Sequence, residues 1–290
     1  MDSLINEDKK LRENLVEATD SKDLTEDLLR RVTLISNGES TILGGLFFWN
    51  RRLDEMIRIG YNTTVIQDGN HCILINVSPP LDDTIDRDFP NWTTMRKPPH
   101  GRFKLPPNGD LFKALSTLNI KPEDVTDIVV TPFELYCTAT LLSFPNARYH
   151  LSKRGWIHFH VTKDKDHPHD VRFKSFDRRT LGELVIGSWD RVNLLEDEDE
   201  IIPGVRTWWS GGHHRESIVV EIDSNIGIIA VSDTFFCEAN VADNVPIGLS
   251  ENIYECLSAY DRIRKSTDHW VSIHDPEIFG VADAGIVRIV

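Results

Sequence analysis

The sequence predicts an α/β sandwich with mixed sheets. Three features predict it: two β-hairpin signals, single helical segments spaced between them, and no linker that would divide the chain. A doubly wound parallel sheet is disfavoured, because neither GxGxxG nor GxxxxGK[ST] follows a strand. At 290 residues the chain is long enough to bury a substantial core.

Taken in order, residues 3–33 are rich in Leu, Glu, Asp, Lys and Arg and lack Pro and Gly. They read as two helices broken near "TDSKD", with Asp20 or Ser21 as a cap. The expected division is a helical N-terminal extension over 1–35 and one main domain over 36–290. "STILGGLFFW" is β-rich, and "TTVIQDGNHCILINVS" carries a "DGN" turn between apolar runs, a hairpin. "PPNGDLFKALSTLNI" predicts a helix starting near Asn108 or Asp110, and "KPEDVTDIVVTP" a short buried strand, Asp127 to Val130. "ELYCTATLLSF" reads as a helix, "ARYHLS" as a strand, and "KRGWIHFHV" as a helix or an irregular segment. Residues 162–190 are loop-like, and "EDEDE" (196–200) reads as a solvated turn. "SIVVEID" and "IGIIAVSD" form the second hairpin. "LSENIYECLSAYDRIRK" is an amphipathic helix with Ile253, Cys256, Leu257 and Tyr260 at helical spacing.

Composition narrows the function. The net charge of −14 makes a poor nucleic-acid binder, because phosphate affinity comes from Lys and Arg. The chain holds no apolar run of membrane-spanning length. Its charged N-terminus has no apolar signal core, so a cytoplasmic protein is expected. Four scattered cysteines form no CxxC pair, and most of them read as buried reduced thiols.

Polar residues follow several strands: "TPFELYC" after Val130, "SGGHH" after Trp209, "SD" after Val231 and "SIHD" after Val271. Glu134, His213, Asp233 and His274 are therefore expected at one rim. Two imidazoles and two carboxylates suit Zn, Fe or Mn. Each has a plainer reading: a histidine after a strand as a surface or packing group, Asp233 as a cap. Gly211 and Gly212 would give the tight turn that aims His213 inward. The His158, His160, His167 and His169 cluster of "HFHVTKDKDHPH" reads as solvated surface. Trp208 and Trp209 read as packing on opposite faces of their strand.

The order of these blocks resembles the metallo-β-lactamase fold superfamily, in its lactonase-like branch that includes the N-acyl homoserine lactonases. The blocks are "HCILINVSPP", with Asn76 in an acidic position, "NIKPEDVTDIVVTPFELYCTATLLSFPNARYHLSKRGW", "IIPGVRTWWSGGHHRESIVVEI", "IIAVSD" and "SIHDP". The resemblance spans about residues 40–280 and implies a four-layer αββα sandwich. It assigns His213, Asp233 and His274 to metal-ligand positions. It also exposes a departure. Where the family has HxHxDH, this chain has Pro132, Glu134, Tyr136 and Cys137. The dinuclear zinc site thus loses ligands, and Glu134, His213, Asp233 and His274, with Cys137 for a softer metal, describe one ion: Zn, or Fe or Mn. His214 and Tyr136 are the catalytic candidates.

Three functions stay open. One is a metal-dependent hydrolase of an ester or lactone. Another is an iron-dependent oxidoreductase on the same fold, motivated by Glu134. The third is a non-catalytic relative that binds a small molecule. A small-molecule partner is expected in each, with pairing into a homodimer through the added helices; nucleic acid and membrane are not.

Overall fold

The computed structural model describes residues 30–79, 110–161, 176–280 and 285–290. Its strands are β1 (Arg31–Leu43), β2 (Met56–Asp68), β3 (His71–Ile75), β4 (Asp127–Val130), β5 (Arg148–Ser152), β6 (Val192–Leu195), β7 (Glu198–Ile202), β8 (Val205–Trp209), β9 (Ile218–Ser224), β10 (Gly227–Ser232), β11 (His269–Ser272) and β12 (Ile286–Arg288). They form two mixed sheets, ordered β12-β1-β2-β3-β4-β5-β6 and β11-β10-β9-β8-β7.

The alternation of apolar residues explains how the sheets stack. On β9, Ile218, Val220 and Ile222 enter one core cluster with Ile73, Leu74, Ile75 and Val130 of the first sheet, while Val219 enters a second cluster. On β10, Ile229 and Val231 split from Ala230 in the same way. A strand sends successive side chains to opposite faces, so the second sheet is buried on both sides. Its outer face is covered by the helix Ile253–Ser266, which buries Cys256, Ala259, Tyr260 and Ile263, one stripe of a 3.6-residue period. Asn252 caps that helix, accepting hydrogen bonds from the backbone N–H groups of Tyr254 and Glu255. On the first sheet, the helix Leu111–Thr117 buries Leu111, Ala114 and Leu115 and is capped by Asp110. The layer order is helix, sheet, sheet, helix.

Both predicted hairpins are present, as β2–β3 and β9–β10, and Asp127–Val130 is a strand. The segment read as one helix over "ELYCTATLLSF" is a four-residue helix, Leu135–Thr138, and a separate turn of 3-10 helix, Leu141–Ser143. Residues 153–160 are helical. Two expectations are corrected. Residues 31–35 belong to β1, so the helical reading stops short of them; residues 1–29 lie outside the described residues. "EDEDE" is not a free turn, because Glu198, Asp199 and Glu200 pair with Trp208, Thr207 and Arg206. β7 is an edge strand, and charged side chains on an edge keep it from pairing further. Among the described residues no helix is long and apolar enough to cross a membrane.

Candidate functional site

The site is built where β4, β8, β10 and β11 end. β10 delivers Asp233, which is fully buried. Both carboxylate oxygens accept hydrogen bonds, Oδ1 from the Thr131 hydroxyl and Oδ2 from the Ser217 hydroxyl, each at 2.5 Å. Burial raises the Asp233 carboxyl above its ordinary range, against the pull of those two hydroxyls and the charge of His214. Thr131 is itself held from both sides. Its Oγ1 accepts from the backbone N–H of Ile218 at 3.0 Å. The Asn76 side chain accepts from Thr131 N at 2.8 Å and donates to Thr131 O at 2.7 Å. Asn76 adopts φ +62°, a region that asparagine tolerates better than most residues. The acidic position of the resemblance is thus a two-way amide bridge to Thr131.

The histidine loop follows β8. Gly211 and Gly212 have φ +57° and +78°, so the turn needs residues without a Cβ. At Gly212 a Cβ would also stand 2.8 Å from Cys256 Sγ. This turn buries His213, whose Nδ1 lies 2.6 Å from Leu249 O. His274, buried after β11, has Nδ1 3.0 Å from Gly60 O. A carbonyl only accepts, so each Nδ1 is assigned as the protonated nitrogen. The His213 and His274 rings are 6.1 Å apart between centroids, and Phe236 packs edge-on against both. Tyr61 and Tyr136 pack against His274 as well.

His213 and His214 lie 4.0 Å apart between centroids and titrate in opposite directions. Burial drives His213 well below the usual imidazole range, with His214 and His274 adding to it. For His214 burial also opposes charge, but the Glu251 side chain, then Glu134, Glu216 and Asp233, outweigh it and push the group up to about 9. At neutral pH the first ring is neutral and the second is a cation.

Arg215 locks the loop to its surroundings. It binds Glu255 through Nη1 at 3.0 Å and also through Nη2, and Glu251 through Nε at 3.1 Å. Glu255 Oε2 accepts from Gly212 N at 3.0 Å. The guanidiniums of Arg215 and Arg154 lie 5.3 Å and 4.4 Å from the Trp209 ring centroid. Trp208 points the other way, with its indole N–H donating to Glu221.

Do these residues fit a metal? The rewritten loop supplies no anionic replacement for the missing donors at Tyr136 and Cys137. Burial raises both groups well above their ordinary ranges, so neither is a ready anionic donor without a metal to displace its proton. The Cys137 thiol donates toward Thr131 O at 3.6 Å. Among the described residues no group of three or more His, Cys, Asp and Glu could hold a metal ion. The two-metal arrangement of HxHxDH does not fit. The structure brings His213, His214, His274 and Tyr136 together and draws Asp233 into a hydroxyl pair.

Of the other histidines, His160 bonds Trp156 O and His158 faces Glu216, while His167 and His169 lie outside the described residues. Sequence reasoning missed Thr131, Ser217, Glu216 and the Arg215–Glu255 clamp. Thr131 alone left a signal, as the last hydroxyl before Pro132 at a strand end.

The fold has known counterparts. An N-acyl homoserine lactone hydrolase, with the product N-hexanoyl-L-homoserine at its catalytic metal center, superposes with TM-score 0.66 at 13% identity, covering 87% of this chain and 95% of that one. A probable metal-dependent hydrolase from Staphylococcus aureus gives 0.66 at 15% identity, covering 87% and 91%. The hydrolase AbOPH of the β-lactamase superfamily gives 0.64 at 14%, covering 88% and 89%. This chain has the metallo-β-lactamase fold. At these identities the likeness is one of fold. No family model matches the sequence, and no curated protein matches it. Within the metallo-β-lactamase fold, the rim described above is the region to which the resemblance assigns the metal ligands.

Proposed function

We propose that this chain is a metal-free relative of the metallo-β-lactamase-fold hydrolases and binds a small molecule at the strand-end rim. One observation carries the reading: both oxygens of Asp233, at the bridging-ligand position, are engaged by Thr131 and Ser217. Pro132 offers no donor, and burial raises the Tyr136 phenol and the Cys137 thiol well above their ordinary ranges. The test is elemental analysis of purified protein beside His213→Ala, with assays on ester and lactone panels. The expected result is no stoichiometric metal and no turnover. About one metal ion per chain, lost in the variant together with turnover, overturns the reading.

A second reading has its own support. His213 and His274 each turn Nδ1 to a backbone carbonyl, which is how metal-ligating histidines are commonly oriented. On this reading Glu134, His213, Asp233 and His274 hold one ion in a hydrolase of esters or lactones. The same analysis decides, and the element found distinguishes zinc hydrolysis from iron-dependent oxygen chemistry.

A further inference from the structure

The two sheets finish their edges differently. β7 closes the second sheet with Glu198, Asp199 and Glu200, and charges on an edge keep another chain from adding to it. β6 closes the first sheet with Val192, Asn193, Leu194 and Leu195, none of them charged. Apart from its pairing with β5 and a bond from Val192 N to Trp189 O, no hydrogen bond among the described residues engages the β6 backbone. β6 therefore offers an open row of backbone donors and acceptors.

The surface beside this edge is apolar. Just before β6, Ile186 is 84% exposed, and Val185 and Trp189 are 44% and 48% exposed. The turn that carries them is fixed. Leu184 is fully buried, and Ser188 bonds Glu183 twice, N to O at 2.8 Å and Oγ to Oε1 at 2.9 Å. Arg191 pins the start of β6, donating to Pro145 O, Ala147 O and Ser188 Oγ. Trp189 packs on Trp156 with centroids 6.1 Å apart, and the next residue of that helix, Ile157, is 56% exposed. These four side chains expose on the order of 500 Å², as much as the largest apolar patch of an ordinary monomer. Met by the same face of a second copy, with the strand edges between, the contact reaches the roughly 1,000 Å² that a specific interface needs.

Charge selects the occupant. The chain carries a net charge of −14, so two copies repel over most of their surfaces. Residues 177–195 are balanced, with Asp177, Glu183 and Asp190 against Arg178, Arg179 and Arg191. A neutral, apolar face with an open strand edge can meet its own copy, as a twofold contact requires.

We propose that β6 and the face from Val185 to Trp189 form the contact between two copies of this chain. The β6 strands pair antiparallel across a twofold axis and join the two first sheets into one. None of these residues belongs to the strand-end rim, so the inference stands whichever reading of the rim holds.

The experiment is sedimentation equilibrium of the full chain over a wide concentration range, for wild type, Ile186→Glu and Tyr254→Glu. Tyr254, 75% exposed on the helix Ile253–Ser266, is the control for added surface charge. Hydrogen exchange of the Val192–Leu195 amides is followed over the same range. Wild type should reach twice the chain mass and dissociate on dilution. Ile186→Glu should weaken the dimer by about tenfold or more, with the Tm of the dilute monomer unchanged, and Tyr254→Glu should not. The β6 amides of wild type should exchange more slowly as concentration rises; this readout needs no variant and decides if Ile186→Glu folds poorly. A monomer at every concentration overturns the proposal and leaves the face to a different partner. So does a dimer insensitive to Ile186→Glu, or weakened equally by Tyr254→Glu. Amides of β6 that exchange at the monomer's rate within the dimer overturn it as well, because the strands then do not pair.

Discussion

Thr131 and Asp233, 102 residues apart in sequence, are joined by a 2.5 Å hydrogen bond from hydroxyl to carboxylate. Thr131 follows β4 of the first sheet and Asp233 follows β10 of the second. The bond therefore ties the two sheets together at the rim. Ser217, the residue just before β9, completes the tie.

Removing either hydroxyl leaves a buried carboxylate short of a donor. Thr131→Val and Ser217→Ala are each expected to cost about 1–3 kcal/mol. Because both act on Asp233, the double variant should depart from additivity by more than about 0.5 kcal/mol. Urea unfolding of the two single variants and the double variant measures both quantities. Additive, near-zero effects would mean that Asp233 is not a structural hub.

Gly212→Ala meets two obstacles, a left-handed φ of +78° and contacts of 2.8 Å and 3.0 Å with Cys256 Sγ and N. Strain and overpacking together should destabilise the fold by about 2–4 kcal/mol. Thermal and chemical unfolding check the size. Retained stability would show that the loop can leave the helix Ile253–Ser266 at little cost.

Arg215→Met removes the clamp on Glu255 and Glu251 and its cation from Trp209, while keeping much of the side chain's length. The site is partly exposed, so the expected loss is modest, about 1–2 kcal/mol. Hydrogen exchange is the sharper probe. The Gly212 amide, which donates to Glu255, should exchange faster in the variant than in wild type. Unchanged protection there would show that Arg215 does not order the loop.

At the other end of the first sheet, Asp127, His150 and Asn193 form a chain across β4, β5 and β6, with contacts of 2.8 Å and 3.1 Å. Burial raises the Asp127 carboxyl, but hydrogen bonds from His150 and Thr126 and the charges of His150 and His71 outweigh it, so the net shift is downward. A depressed carboxylate contributes stability above its unfolded value, about 4, and loses it as pH falls through the folded value. Stability should therefore drop on the acid side, and His150→Leu should flatten that drop while lowering stability at neutral pH. Unfolding free energies between pH 2 and 7 test the sign. An unchanged acid limb in the variant would detach Asp127 from the effect.

Much of the fold was legible because its signals are local. The alternation on β9 and β10, the helical spacing of Cys256 and Tyr260 and the turn at Gly69 each follow from a short period or a turn residue, whereas Ile253 and Leu257 of the predicted stripe are only half-buried and Ala259 and Ile263 take the buried positions. The glycine pair before His213 was readable for the same reason. "EDEDE" misled because three acidic residues look solvated in isolation, and only the partner β8 makes them an edge strand.

The sequence by itself determined which residue types stand at the strand ends: His213, Asp233 and His274, with Pro132, Glu134, Tyr136 and Cys137 beside them. The tertiary structure alone decided what those groups do to one another. Asp233 pairs with Thr131 and Ser217, and the neighbouring imidazoles are shifted in opposite directions. The physical reason is that hydrogen-bond partners and burial come from segments far apart in the chain. No local period encodes which donor will reach a given carboxylate once two sheets have closed around it.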